Sequence, residues 1–169
     1  MDTLDAIFTR RSVRRFTNQP VPAELVEILL RAAMNAPSAS NKQPWRFIVI
    51  DDRTMLEQIT TFHPYAQMLK EAALAVLICG DETSQNQEGY WVEDCSAATQ
   101  NLLLATHALG LGAVWLGIHP NRERTAKITA VCQLPETIHP VSLVAVGYPL
   151  EIPAPISRYN PAYVHHNHW

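Results

Sequence analysis

The run Ala73-Leu74-Ala75-Val76-Leu77-Ile78-Cys79 constrains the fold more than any other part of the chain. It is far shorter than the roughly 20 apolar residues that cross a bilayer. Its length and its uninterrupted apolar character read as a strand buried on both faces. Such a strand needs neighbours in a sheet and cover above and below. Arg46 to Ile50, Ala113 to Ile118 and Val141 to Val146 are the other strand-like runs, the first rich in Phe, Ile and Val.

Helical patterns separate these runs. Asp2 to Thr9 places Leu4, Ile7 and Phe8 on one face. Behind Pro22, residues Leu25, Val26, Ile28, Leu29, Ala32 and Ala33 form a broad stripe that ends before Pro37. Thr54 to Thr61 reads as a short helix and Pro64 to Glu71 as a turn of helix. The longest helix, Trp91 to Leu109, carries Cys95, Ala98, Leu102, Ala105 and Leu109 on one side, with Gly110 at the left-handed position beyond its end. Asn121 caps a last helix through about Val131. Gly80 to Gly89 is polar and is expected to be a mobile connection. Strands alternating with helices imply an α+β or α/β sheet with helices on its faces. The long helix is apolar over much of its circumference. Either it is the central helix of a monomer, or it also packs against a second copy of the chain.

The 169 residues suit one domain, residues 1–169, with 150–169 as a Pro- and His-rich extension lacking periodicity. A net charge of −3 argues against a general nucleic-acid binder. Positive charge is nonetheless concentrated early, and Arg10-Arg11-Ser12-Val13-Arg14-Arg15 packs four guanidiniums into six residues. Guanidinium forks match phosphate oxygens. The competing reading is a solvated basic loop, or arginines paired with acids. The polar, Pro-bounded stretch Pro37 to Trp45 offers Ser38, Ser40, Asn41 and Gln43 as donors and acceptors, residue types that ordinary turns also use. Trp45 is expected in the core.

Other chemistries find no support. The three cysteines, Cys79, Cys95 and Cys132, form no C-x-x-C pair, so neither a disulfide framework nor a zinc site is expected. His165, His166 and His168 lack accompanying acids or cysteines, and no metal is expected. Gly110-Leu111-Gly112 follows a helix and opens a strand, the reverse of a dinucleotide fingerprint. No nucleophile elbow is present. The N-terminus does not read as a signal peptide, and a cytoplasmic location is expected.

Four segments together carry a resemblance. Arg10-Arg11-Ser12-Val13-Arg14-Arg15-Phe16, Pro37-Ser38-Ala39-Ser40-Asn41-Lys42-Gln43-Pro44-Trp45, the helix from Asp94 to Ala105 running into Gly110-Leu111-Gly112, and Val146-Gly147-Tyr148-Pro149 resemble the FMN-dependent nitroreductase family, in the family's order and across nearly the whole chain. The tail resembles that of the family's short members. The resemblance implies a three-layer α+β sandwich with a mostly antiparallel central sheet, a homodimer, and two FMN molecules at the subunit interface. By motif, Arg10, Arg11 and Ser12 would hold the FMN phosphate, with Arg158 reaching it from the tail. Arg14 would approach flavin N1 and O2. Pro37, Ser38, Ala39 and Ser40 would line the flavin from the partner subunit, with Asn41 nearby. Trp115, Leu116 and Gly117 would lie near the ring, a backbone N–H toward N5.

The implied activity is reduction of FMN by NAD(P)H and of a nitroaromatic, quinone or similar acceptor by the flavin, in ping-pong order. An FMN store or sensor without turnover is the alternative from another class. Reductive dehalogenation and flavin fragmentation are alternatives on the same fold. The chain departs from longer relatives in the stretch Phe62 to Met68 and in having only about Asp81 to Trp91 to roof a substrate pocket.

Overall fold

The computed structural model describes residues 1–85 and 87–169. Its elements, in order, are α1 (Thr3–Thr9), α2 (Ala23–Met34), β1 (Trp45–Ile50), α3 (Arg53–Phe62), β2 (Leu74–Asp81), α4 (Tyr90–Ala108), β3 (Gly112–Gly117), α5 (Arg122–Cys132) and β4 (Ile138–Gly147). The four strands form one antiparallel sheet in the order β1-β2-β4-β3.

β2 is the centre of the molecule, buried at every position. Successive side chains of a strand point to opposite faces, so its apolar run divides between two cores. Leu74, Val76 and Ile78 pack with Leu29 and Ala33 of α2 and Cys95, Ala98, Leu102 and Leu103 of α4. Ala75, Leu77 and Cys79 pack with Leu56 and Ile59 of α3 and Ile128 of α5. Each Leu or Ile taken fully out of water contributes about 1.5–3 kcal/mol. The result is helices, sheet, helices: three layers, as the two-faced apolar run requires.

Side-chain caps set several boundaries. Asp2, Asp52 and Asn121 accept from the backbone N–H three residues on, starting α1, α3 and α5. Gly110, at φ 76°, ends α4 in the left-handed region, and Leu111 N–H closes the turn onto Thr106 O at 3.0 Å. Trp45 is core, as expected.

Two strands run past their expected ends. β2 continues through Gly80 and Asp81 because Trp45 and His139 pair with Gly80 on either side. The glycine is required by packing: a Cβ there would lie 2.5 Å from Trp91 Cε3. β4 starts at Ile138 rather than Val141. Pro140, which cannot donate to a ladder, sits where the register shifts between Ile78 and Cys79. The polar connection after β2 holds a single turn of 3-10 helix, Glu82–Ser84. Asn86, within the segment expected to be mobile, lies outside the described residues.

The apolar stripe of α1 faces outward. Ala6 is its buried residue, while Leu4, Ile7 and Phe8 are exposed. From Glu151 to Asn160 the tail has no regular secondary structure and is largely exposed.

Candidate functional site

The arginine segment is held as an extended strip beside the sheet edge. Ser12 bridges to Ala113 of β3 in parallel sense, and Val13 N–H donates to Ala113 O at 2.9 Å. Phe16 bridges to Pro149. Val13 and Phe16 are buried in the core while Arg14 and Arg15 are exposed, a spacing of three that departs from strict strand alternation. Both anchors press on glycines. A Cβ on Gly112 would lie 2.7 Å from Val13 Cγ1, and one on Gly147 would lie 2.9 Å from Phe16 Cδ1.

At the start of this strip Arg10 and Arg11 line a cavity of about 470 Å³ between α1 and the tail. Arg158 and Ser157 line the same cavity from the tail, with Phe8 and Ile156 among its apolar walls. Burial first, and the charges of Arg158 and Arg11 next, push the Arg10 guanidinium below its ordinary pKa. None of Arg10, Arg11, Arg14, Arg15 or Arg158 is in an ion pair among the described residues. Arg11 Nε is buried without a hydrogen-bond partner. Cations brought together without acids, one with an unsatisfied buried donor, fit an anion such as a phosphate group. Arg14, Arg15 and Arg158 are exposed, and none of the five is paired with an acid among the described residues. Ser12 does not line this cavity; its backbone serves the bridge to Ala113.

The Pro37 to Gln43 loop has an unusual backbone. Ser40, Asn41 and Gln43 have φ of 51°, 54° and 50°. Positive φ at a residue with a side chain costs about 1–3 kcal/mol, less for Asn, and persists only where surroundings impose it. Internal bonds supply part of that: Gln43 N–H donates to Ser38 Oγ at 2.9 Å and Gln43 Nε2 donates to Asn41 Oδ1 at 3.0 Å. Across the fold, Ala39 N–H donates to Asp94 Oδ1 at 3.0 Å. Pro37, Ser38 and Ala39 line a cavity of about 360 Å³ with Tyr90, Glu93, Asp94 and Ala97. That cavity shares no lining residue with the arginine cavity.

The end of β3 is the third part. Trp115 and Gly117 are exposed, whereas the Leu116 side chain is packed in the core. A Cβ on Gly117 would meet nothing within 4 Å. The protein's own packing therefore does not demand glycine, and its backbone is left uncovered. The Gly117 carbonyl is held from behind by two donors, His63 Nε2 at 3.1 Å and Arg124 Nη1 at 3.0 Å. A carbonyl only accepts, so His63 carries its proton on Nε2. Burial, reinforced by Arg124, lowers the pKa of His63 against the opposing bond to Gly117. Tyr65 stands edge-on to His63 and under the Arg124 guanidinium.

Sequence reasoning missed His63, Arg124 and the role of Asp94. Asp94 left a signal: it is the one charged residue among the buried positions of α4, beside Cys95 and Ala98. His63 and Arg124 left none, because they meet at Gly117 from the end of α3 and from α5. Among the described residues no group of three or more His, Cys, Asp or Glu could hold a metal, and no helix is long and apolar enough to cross a membrane.

Comparison with known proteins gives this arrangement a family. The nitroreductase family model matches residues 7–63 and 62–148. A Methanothermobacter thermautotrophicus protein, provisionally named an NADH dehydrogenase/NAD(P)H nitroreductase, is 45% identical over 169 residues, covering 100% of this chain and 88% of its own length. A crystal structure of a Parabacteroides distasonis protein with the same provisional name superposes with TM-score 0.95 at 41% identity, covering 99% of this chain and 98% of that one. A Desulfovibrio desulfuricans structure, provisionally a nitroreductase and determined in complex with FMN, superposes with TM-score 0.86 at 30% identity, covering 100% and 99% of the two chains. With its three layers, its antiparallel sheet and its sequence in agreement, the chain belongs to the nitroreductase family.

Proposed function

We propose that this chain is an FMN-dependent oxidoreductase that takes reducing equivalents from NAD(P)H and delivers them to a nitroaromatic, quinone or similar acceptor. The observation that carries the reading is the meeting of Arg10, Arg11 and Arg158 at one cavity without an acidic partner. The FMN-bound neighbour from Desulfovibrio desulfuricans supports the identity of the anion. Bound flavin supplies the redox chemistry, accepting hydride from the nicotinamide and releasing electrons to the acceptor. No acid, base or nucleophile of the chain is then needed.

The chain's own residues bind and orient. Arg10, Arg11 and Arg158 hold the phosphate, each charged hydrogen bond contributing about 1.5–3 kcal/mol where sheltered. Ser12 fixes the strip through its backbone. Arg14, exposed and unpaired, is assigned to the N1 and O2 side of the ring, where its charge favours the reduced form. Gly117, with Trp115 and the Leu116 backbone, borders the ring near N5. The loop of Pro37, Ser38, Ala39 and Ser40, with Asn41, borders it from a second copy of the chain.

That last assignment makes the working unit a homodimer. Its support is twofold. The loop and the arginines line separate cavities of one chain. Leu4, Ile7, Phe8, Ile28 and Met34 also leave apolar surface uncovered on α1 and α2. Because both substrates use one flavin, the order of reaction is ping-pong.

The test is anaerobic stopped-flow on protein loaded with FMN. NADH or NADPH should bleach the flavin absorbance, and a nitroaromatic or quinone should restore it, with parallel double-reciprocal lines at steady state. Protein that retains no added FMN sinks the reading. Bound flavin that neither nicotinamide reduces would favour a store or sensor.

A further inference from the structure

The Pro37–Gln43 loop is not held by its internal bonds alone. Three residues with side chains at positive φ are imposed by contacts, and the backbone donor at its centre, Ala39 N–H, is satisfied from another element by Asp94. Asp94 is an unusual residue for that task. It sits on α4 at 7% exposure, next to Cys95 and one turn before Ala98, both fully buried. Its Oδ2 is buried and has no hydrogen-bond partner among the described residues, and no Lys or Arg pairs with it there.

Burying a carboxylate with no counter-ion is costly. An apolar residue would fill the same volume without that cost. The bond from Ala39 is the one hydrogen bond that the Asp94 carboxylate accepts among the described residues.

We infer that Asp94 is the positioning residue of the cofactor loop: its buried carboxylate clamps Ala39 and so sets the backbone that presents Ser38, Ala39 and Ser40 to the flavin. This rests on the reading above that the loop borders the cofactor. Asp94 touches no reacting atom. It acts through Ala39, and the requirement is for an acceptor at Oδ1 rather than for charge.

Two substitutions on the full chain separate these ideas. Asp94→Asn keeps an Oδ1 acceptor for Ala39, and Asp94→Ala removes it. Asp94→Ala should weaken FMN binding about tenfold or more, the scale of one misplaced set of contacts. It should also change the visible circular dichroism of the bound flavin. Asp94→Asn should keep the affinity within about threefold and retain the dichroism, since the acceptor is unchanged.

An Asp94→Ala protein with wild-type affinity and dichroism overturns the proposal. If Asp94→Ala fails to fold, Asp94→Leu, which restores volume without an acceptor, takes its place. Amide hydrogen exchange at Ala39 in the cofactor-free proteins keeps the two readings apart. Protection lost in Asp94→Ala but kept in Asp94→Asn, with FMN affinity the same in both, overturns the loop's place at the cofactor and leaves the clamp. Protection kept in both overturns the clamp itself.

Discussion

Arg158, carried by the irregular tail, faces the same cavity as Arg10 at the end of α1, and after burial its charge is the largest influence pulling the Arg10 pKa down. Like charges held together repel, so the cavity is primed for an anion that relieves them. Arg158→Ala should therefore weaken FMN binding about tenfold, or about 1.4 kcal/mol, the low end suiting an exposed side chain. Riboflavin, which lacks the phosphate, should bind the variant and the parent alike. Titration of flavin fluorescence measures both. Equal loss for the two ligands would place Arg158 away from the phosphate.

Stability should fall as the solution is acidified below about pH 6.5, the ordinary histidine pKa. His63 is lowered by burial and by Arg124, and His107 by burial and by Arg10. A histidine lowered in the fold binds its proton more readily when unfolded. Protonation thus favours the unfolded chain, and the penalty grows as pH drops from 6.5 toward the folded value. Asp81, lowered chiefly by its bond from Thr83, loses its contribution in a separate and more acidic window, below about pH 4. Thermal melting should be flat from pH 8 to 7 and decline toward pH 5. Inorganic phosphate at the arginine cavity should make the decline shallower by offsetting Arg10 beside His107. A melting temperature constant from pH 7 to 5 would contradict this assignment.

Thr99 and Ser142 join α4 to β4 through a hydroxyl pair buried at 0% exposure, 2.8 Å apart. Thr99 Oγ1 donates to Cys95 O at 2.7 Å, so it accepts from Ser142. Thr99→Val preserves shape and strands the Ser142 hydroxyl, which should cost about 1–3 kcal/mol. Adding Ser142→Ala should recover much of that loss. Urea unfolding of the two variants decides the matter. A double variant no better than the single would show that packing, not the stranded donor, is responsible.

Gly112→Ala should damage the arginine strip from a distance. The added methyl would press on Val13, the core anchor between Ser12 and Arg14. Overpacking of this kind costs about 1–3 kcal/mol. FMN affinity should fall along with the melting temperature. Restoration of both by adding Val13→Ala would tie the effect to this contact, and failure of that rescue would dismiss it.

The layers were legible because β2 is apolar at consecutive positions and each neighbour alternates with a helical stripe. Strand ends were less so. Gly80 and Asp81 look like the start of a loop, yet pairing with Trp45 and His139 keeps them in the sheet. The stripe of α1 was legible as a face but not in its direction, since its exposure depends on what the rest of the fold leaves uncovered. Arg10 and Arg11 were legible as a cationic cluster, and they share one cavity. Arg158 joined them only through resemblance, because nothing in a Pro-rich tail tells where it lies. Asp94, His63 and Arg124 act through single bonds to backbone groups far along the chain, and local pattern carries no record of such bonds.

The sheet is finished at Gly147, before Arg158 is reached. The layered scaffold is therefore complete without the segment that brings one of the three guanidiniums to the cavity. On the proposed reading, a product ending just past β4 should keep its layered core and hold the phosphate more weakly, through Arg10 and Arg11 alone.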